Sequence, residues 1–271
     1  MRMSEARLAL RRPYEYLALY AGLCLFGISI LLWSLCAAVL DLLLPRKVSA
    51  PLGQHAITLL FNSFLLVMKA SGLVKFDLAA LDALREERSL IIAPNHPSLI
   101  DVVLVVSRLP HVVCIMKGEI ENNLIFSGGA RLAHYIRNNS SLAMIRSAAS
   151  AVRSGSQLLV FPEGTRTRQG PINPFKGGFA LIAKSAGAPV QTVFIESNSP
   201  FLGKGWPLLK KPAFPLIYRA RLGQRFEVNG DVKTFVSNLE CYYRETLGNL
   251  PTDFSLHDRR IAHPARPDPQ L

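Results

Sequence analysis

Acidic residues are scarce in this sequence of 271 residues, and their scarcity narrows the partners it can have. Asp and Glu number 19 against 31 Lys and Arg, which leaves a formal net charge of +12. A chain this basic typically meets a polyanion: nucleic acid, an anionic membrane or phosphorylated small molecules. The mean hydropathy of +0.23 favours the membrane. Because the chain has no zinc-finger spacing and no aromatic RNA-binding motif, we expect no nucleic-acid partner.

Several catalytic and metal-binding motifs are also missing. The four cysteines, at 24, 36, 114 and 241, are far apart and form no C-x-x-C pair, which favours free thiols in a reducing compartment. The six histidines show no H-E-x-x-H spacing and there is no Cys/His cluster, so we expect no metal site. The chain also lacks a G-x-x-x-x-G-K-[ST] phosphate loop and a G-x-S-x-G nucleophile elbow.

Charge is absent altogether from residues 17–40. A helix of that length would measure about 36 Å, and a bilayer core needs roughly 20 apolar residues. A second apolar stretch, residues 56–74, includes Asn62, Ser63 and Lys69, which favours an interfacial or partly inserted helix. We therefore predict that residues 1–75 are membrane-associated helices.

The charges around these helices suggest their orientation. The N-terminus carries Arg2, Arg7, Arg11 and Arg12 against Glu5, and the positive-inside rule places such an end in the cytoplasm. One full span would put the rest of the chain on the far side. A helical hairpin, or two helices dipping into one leaflet, would keep both ends on the cytoplasmic face. We favour a helical hairpin or this leaflet-dipping form over a single span, with the catalytic domain on the cytoplasmic face, as at a bacterial inner membrane.

The pattern changes at Phe76, where short β-branched runs begin to alternate with amphipathic helical patterns. The predicted strands are 89–94, 112–116, 157–161, 189–195 and 220–228, and the predicted helices are 100–109, 141–155, 177–187 and 232–247. This alternation predicts an α/β domain over 76–250, with a largely parallel sheet flanked by helices. The basic, Pro-rich segment 251–271 is expected to be a loose tail.

Polar motifs follow two of the predicted buried strands. The first, NHPSLID, begins after strand 89–94 and contains His96, Ser98 and Asp101. If Pro97 opens a helix, Asp101 lies in its second turn, and the His96 ring can fold back towards the carboxylate. That pair would be a general base with its orienter, although a structural helix-capping histidine is an alternative. Ser98 is a candidate nucleophile in a hydrolase, a second hypothesis.

The second motif, FPEGTRT, follows strand 157–161 and supplies groups suited to an anion. Arg166 could bind a phosphate with two parallel hydrogen bonds, and Gly164 would allow close backbone approach. Glu163 could hold Arg166 or a substrate hydroxyl. The nearby FKGG adds Lys176 and a helix N-terminus. A base, a phosphate site and a membrane anchor together suggest acyl transfer to a phosphorylated lipid.

Both motifs resemble signatures of the lysophospholipid/glycerolipid acyltransferase family, N-H-x4-D and F-P-E-G-T-R, and the resemblance covers roughly residues 76–200. It implies that His96 is the general base and Asp101 its orienter, with direct transfer and neither metal nor cofactor. A second block is matched by Lys117 and AHYIRNN, which makes Arg137 its arginine. The expected substrate-binding residues are Asn95, Ser98, Lys117, Arg137, Glu163, Gly164, Thr165, Arg166 and Lys176.

The resemblance also implies the reaction. An acyl group would pass from acyl-CoA or acyl carrier protein to a lysophospholipid hydroxyl, with 1-acyl-sn-glycerol-3-phosphate giving phosphatidate as the favoured case. A fourth block, APVQTVFIE, keeps Pro189 but has Thr192 where the family has a second proline. The acceptor could therefore be another lyso-lipid, such as a lyso-aminolipid. Two alternatives remain open, the Ser98-dependent lipid hydrolase and a non-catalytic, membrane-bound anion-binding protein.

Overall fold

The structure is a computed structural model that describes residues 2–116, 124–137, 141–207 and 209–249. Its strands are β1 Val74–Asp77, β2 Leu90–Pro94, β3 Val112–Met116, β4 Ile136–Arg137, β5 Gln157–Leu159, β6 Val190–Ser197 and β7 Leu216–Phe226. Its helices are α1 Arg2–Leu43, α2 Arg46–Ala70, α3 Asp101–Val106, α4 Leu124–Leu132, α5 Ser141–Arg153, α6 Gly178–Ala186 and α7 Val232–Gly248, with a 3₁₀ helix at Ala79–Leu84.

One seven-stranded sheet runs through the described domain in the order β1-β7-β6-β2-β5-β3-β4. The five strands from β6 to β4 are parallel, whereas β7 pairs antiparallel with β6 and parallel with β1. All five residues of β2 are buried, as expected for a central parallel strand covered on both faces. The predicted α/β class with a largely parallel sheet and flanking helices is confirmed.

Two strands were not predicted because they are very short. β1 has four residues and begins at Val74, the last residue of the apolar stretch that we assigned to the membrane. β4 has two residues and carries no periodic pattern of its own. Because β1 starts at Val74, the predicted boundary after residue 75 falls inside the first strand.

Helices cover both faces of the sheet. Helices α5, α6 and α7 cover one face, around core residues such as Phe179 and Tyr243. The other face is covered by α2 and α3, and Phe64, Leu65 and Met68 of α2 belong to the same buried cluster as the residues of α3. The α2 helix is therefore part of the folded core, although the sequence assigned it to a membrane segment.

The N-terminal helices also present long apolar surfaces. Arg11–Leu43 and Arg46–Ala70 are long and apolar enough to cross a membrane. Helix α1 packs closely on α4, and a Cβ at Gly128 would lie 1.9 Å from the carbonyl oxygen of Ser34. Glycine at 128 therefore lets the two backbones touch. The opposite side of α1 keeps an exposed stripe of large apolar residues: Leu25, Ile28, Leu32, Leu35, Val39 and Leu42.

Candidate active site

The two polar motifs follow neighbouring parallel strands. β2 and β5 pair with Ile92 opposite Leu159, so the chain leaves both strands at the same edge of the sheet. The first motif starts at Asn95, directly after β2, and the second at Phe161, two residues after β5 ends. This carboxyl edge is where open α/β sheets usually bind their ligands.

His96 and Asp101 are in direct contact. Nδ1 of His96 lies 2.9 Å from Oδ2 of Asp101, and the same oxygen accepts the Ser98 backbone N–H at 2.8 Å. The expectation that a helix opens at Pro97 is wrong, because α3 begins only at Asp101 and the four residues before it form a turn. That turn closes around the Asp101 carboxylate, which satisfies the Ser98 N–H and holds the imidazole at once.

The surroundings of Asp101 decide which nitrogen of His96 carries the proton. Asp101 is fully buried, and this burial raises the pKa of its carboxyl to about 6, while the hydrogen bonds from His96 and Ser98 oppose the rise. Above that pH the carboxylate only accepts hydrogen bonds, so Nδ1 donates and Nε2 carries the lone pair. The imidazole is 13% exposed, which leaves this edge of the sheet open to a substrate.

The second motif holds His96 in place. The ring of Phe161 stacks on the imidazole with centroids 3.8 Å apart and planes inclined by 18°. Oε1 of Glu163 accepts the backbone N–H of His96 at 2.8 Å, and the N–H of Thr167 donates to the His96 carbonyl at 2.7 Å. Both the ring and the backbone of His96 are thus positioned by the FPEGTRT segment.

Glu163 acts as a link between the motifs. It is almost fully buried, and besides the His96 amide its carboxylate accepts the hydroxyl of Thr167 at 2.8 Å and the backbone N–H of Asn173 at 2.7 Å. The sequence suggested that Glu163 holds Arg166 or a substrate hydroxyl. The contacts described for its oxygens favour a different role, that of positioning His96.

Asn95 and Ser98 are likewise occupied within the protein. Nδ2 of Asn95 donates to the carbonyl of Ile195 at 2.9 Å, and Oδ1 accepts the N–H of the same residue at 2.7 Å. The Ser98 hydroxyl donates to the carbonyl of Phe201 at 2.8 Å. Both side chains are buried, and they tie the His96 turn to β6 and to the segment that follows β6. The sequence had instead predicted that Asn95 and Ser98 contact the substrate.

Arg166 lies at the rim of the site and braces a loop. Its Nη1 donates to the carbonyls of Leu202 at 2.8 Å and Gly203 at 3.1 Å, and the residue is half-buried. A guanidinium carries five N–H donors, so these two bonds leave donors for a bound anion. The geometry is compatible with the predicted phosphate contact.

Two lysines lie against the turn at Gly164 and Thr165. Gly164 has a φ of +67°, which favours glycine, and the Lys176 side chain lies over it, within 2.9 Å of where a Cβ would be. From the other side, Nζ of Lys204 donates to the Thr165 hydroxyl at 3.4 Å. Together with Arg166, these lysines form a cationic rim on the second motif, whose Thr167 N–H donates to the His96 carbonyl.

Lys204 was missed in the sequence because it lies outside both motifs. The available signal was weak: a lysine between two glycines, 203–205, after a predicted strand whose carboxyl end meets the same sheet edge. Arg137 ends β4 and is exposed at that edge, with β3 between it and the second motif. Lys117 and the tail lie outside the described residues. Within the described ranges, no group of three or more His, Cys, Asp or Glu could hold a metal ion.

The sequence of this chain is similar to those of known proteins. Residues 75–196 match the family model named Acyltransferase. The chain is 31% identical over 138 residues to human 1-acyl-sn-glycerol-3-phosphate acyltransferase beta, covering 47% of this chain and 49% of that protein. It is 38% identical over 103 residues to the coconut (Cocos nucifera) 1-acyl-sn-glycerol-3-phosphate acyltransferase, covering 35% of this chain and 33% of that protein. The chain thus spans half or less of the length of these curated relatives.

The fold has a match among solved structures. The crystal structure of the 1-acyl-sn-glycerophosphate acyltransferase PlsC from Thermotoga maritima superposes with a TM-score of 0.66 and 18% identity, covering 89% of this chain and 96% of that chain. At this identity the likeness shows the fold alone. Residues 75–196 are thus similar to the family described as Acyltransferase, and the chain shares its fold with this solved structure.

Proposed function

We propose that this protein is an O-acyltransferase that moves a fatty acyl group from an acyl thioester to the hydroxyl of a lysophospholipid. The observation that carries the proposal is the His96–Asp101 pair lying beside a cationic rim at one sheet edge. The names of the relatives favour 1-acyl-sn-glycerol-3-phosphate as acceptor and phosphatidate as product. Acyl-CoA and acyl carrier protein are the two candidate donors, and another lyso-lipid is the alternative acceptor.

The proposed reaction is a direct transfer with His96 as general base. Nε2 takes the proton of the acceptor hydroxyl as its oxygen bonds to the thioester carbonyl carbon. The carbon–sulfur bond then breaks, and the leaving thiolate receives the proton from the imidazolium. Asp101, through its hydrogen bond to Nδ1, stabilises the positive charge that His96 carries between these steps.

Arg166, Lys176 and Lys204 are proposed to bind the acceptor's phosphate. A phosphate at this rim would meet a guanidinium and two ammonium groups while its glycerol hydroxyl faces the imidazole. Charge-assisted hydrogen bonds to phosphate contribute about 1.5–3 kcal/mol each. The same rim could also bind the phosphodiester of a different lyso-lipid. It therefore predicts that the acceptor carries a phosphate, and it does not specify the headgroup.

The Ser98 hydrolase hypothesis receives less support from the geometry. Ser98 is 2% exposed, and its hydroxyl donates to the Phe201 carbonyl. A serine nucleophile would instead need its hydroxyl hydrogen-bonded to the base and open to the substrate. The described hydrogen bond of the His96 ring is the one from Nδ1 to the Asp101 carboxylate. This arrangement supports a base that acts directly on a substrate hydroxyl.

We further propose that α1 and α2 lie in one leaflet with the α/β domain on the cytoplasmic face. Helix α1 contacts the domain at Glu15, which pairs with Lys211, and again at Ser34, which accepts the N–H of Gly128. These α1 residues are 19 positions apart, which is about 28 Å along a helix. A helix that touches one domain at both points lies along its surface, which supports the leaflet-dipping arrangement over a perpendicular span.

The proposal can be tested with purified full-length protein, a panel of lyso-lipids and both donor types, with products read by mass spectrometry. We expect label from the acyl donor to appear in a diacyl phospholipid, with lysophosphatidate as the preferred acceptor. The His96→Ala variant supplies the background. Release of free fatty acid without lipid product would replace the proposal with the hydrolase.

A further inference from the structure

The segment that follows β6 has an unusual composition. Defined by its described residues, 201–207 and 209–214, it contains Trp206 and three lysines, at 204, 210 and 211, and residues 201–214 include no Asp or Glu. We refer to it as the 201–214 segment. A stretch that combines lysines, a tryptophan and leucines without acidic residues is typical of protein surfaces that contact anionic lipid.

One end of this segment is built into the candidate active site. The carbonyl of Phe201 accepts the Ser98 hydroxyl, and the N–H of Leu99 donates to Leu202 at 3.1 Å. The carbonyls of Leu202 and Gly203 accept Arg166, as described above. The segment therefore begins in contact with both catalytic motifs.

Its other end is fixed to the N-terminal helix. Lys211 pairs with Glu15 of α1, and its ammonium group lies 5.5 Å from the ring centroid of Tyr16 and 5.6 Å from that of Phe214. Glu15 is 6% exposed, so this is a well-covered ion pair. Leu17, two positions after Glu15 on α1, is 72% exposed.

Between these two ends the segment presents uncovered apolar and cationic groups. Leu209 is 77% exposed, and the ammonium group of Lys210 lies 5.0 Å from the ring centroid of Trp206. Leu99, beside the His96 turn, is 57% exposed. Along the chain, Leu209 and Lys210 lie between the contacts of the segment with the active-site motifs and its contact with α1.

We propose that the 201–214 segment is a second membrane contact, which docks the active-site edge onto an anionic bilayer surface. Leu209 and Trp206 would enter the interfacial region, and Lys210 would meet lipid phosphates. The anionic bilayer is the partner because the segment has lysines without acids and is joined at Lys211 to α1, a helix that is long and apolar enough to cross a membrane. The effect of this contact on activity rests on the proposed function. Docking would present a lyso-lipid held in the membrane directly to Arg166.

Depth-dependent fluorescence quenching tests the contact itself. The chain contains two tryptophans, so Trp33→Phe leaves Trp206 as the sole reporter in the full-length protein. The protein would be reconstituted in phosphatidylcholine vesicles, with or without phosphatidylglycerol, carrying bromines at a shallow or a deep acyl position. We expect quenching of Trp206 by the shallow bromines, stronger with phosphatidylglycerol present. If Trp33→Phe fails to fold, the parent protein and Trp206→Phe are compared. Quenching by bromine that is seen in the parent and lost in Trp206→Phe gives the same information.

Matched variants test whether the membrane contact is made by the 201–214 segment or by another part of the protein surface. Leu209→Asn and Lys210→Gln should reduce the quenching of Trp206. The controls are Leu181→Asn on α6 and Lys233→Gln at the start of α7. Both residues are exposed, on helices that cover the sheet face opposite α2 and α3, and both variants should leave the quenching of Trp206 unchanged. Equal emission from brominated and unbrominated vesicles, with the protein still in the vesicle fraction, would overturn the proposal.

Kinetics then test what the contact does. For vesicle-borne lysophosphatidate, Lys210→Gln should raise the apparent KM about fivefold, since one lysine near an anionic surface is worth ~1 kcal/mol. With a short-chain acceptor in solution, KM and kcat should stay at parental values. Equal losses on both acceptors would contradict the docking role. Failure of the parent to transfer acyl groups at all would refute the proposed function, while the quenching result would still decide the membrane contact.

Discussion

Glu163 and His96 are joined across the two motifs, because Oε1 of Glu163 accepts the backbone N–H of His96 at 2.8 Å. A neutral amide at 163 would turn an NH₂ group towards one of the backbone donors that the carboxylate now accepts, His96 or Asn173. We therefore expect Glu163→Gln to displace the imidazole and lower kcat by about 5- to 150-fold, equivalent to ~1–3 kcal/mol, with a small change in acceptor KM. Steady-state kinetics would measure both, and exposed Asp231→Asn is the control. A selective rise in acceptor KM would instead favour direct substrate contact.

His96 and Asp101 should behave as one catalytic unit. His96→Ala should lower kcat by roughly 10²–10⁴ with intact folding, and Asp101→Asn should also lose activity because it disturbs the imidazole tautomer. The double variant should be little worse than His96→Ala. Ser98→Ala should stay active, with stability reduced by about 1 kcal/mol for the lost bond to Phe201. A covalent acyl group trapped on Ser98 would rule out direct transfer.

The titration of Asp101 should shape the acid side of the pH profile. Burial raises the pKa of this carboxyl to about 6, so it becomes protonated as the pH falls through that value. A neutral carboxyl stabilises the imidazolium of His96 poorly, so kcat should fall on acidification through about pH 6 and level off above it. A pH–rate profile of the purified enzyme measures this. In Asp101→Asn the residual activity should lose that inflection, and its persistence unchanged would assign the titration to another group.

Arg166 should matter more for the acceptor than for the donor. Removing a charge-assisted phosphate contact costs about 1.5–3 kcal/mol, so Arg166→Ala should raise the acceptor KM by about 10- to 150-fold. Arg166→Lys should recover only part of this, because an ammonium group cannot form two parallel bonds or brace Leu202 and Gly203 together. Arg168→Ala, two positions further on and exposed, is the matched control. An equal rise in donor KM would contradict the assignment.

Helix α2 should contribute to the stability of the catalytic domain. Met68 is 3% exposed and lies in the core cluster that covers one face of the sheet, whereas Leu66 on the same helix is 66% exposed. Met68→Ala should therefore cost about 2–5 kcal/mol, and Leu66→Ala should change the unfolding of the domain little. Thermal unfolding in detergent compares the two. We expect a fragment that starts at residue 76 to aggregate, and a soluble, cooperatively folding fragment would show that α2 is dispensable.

Local patterns were enough to predict much of this protein. Buried strands such as β2 are continuous apolar runs, and the glycine after α6 ends its helix with a φ of +62°. The residue types that follow β2 and β5 indicated a general base and an anion-binding site. The prediction of a largely parallel sheet implied that these two groups of residues would lie at the same edge. The uncharged run of residues 17–40 likewise marked α1 as a long apolar helix.

Only the tertiary structure decided how these groups divide the work. Asn95, Ser98 and Glu163 were predicted to bind substrate because they belong to the two motifs, but each meets a backbone partner far away in sequence. Lys204 joins the rim only because β6 runs parallel to β2 and delivers its following segment to the same edge. The sequence determines which chemistry is available, whereas contacts between distant segments determine which atoms remain free to perform it.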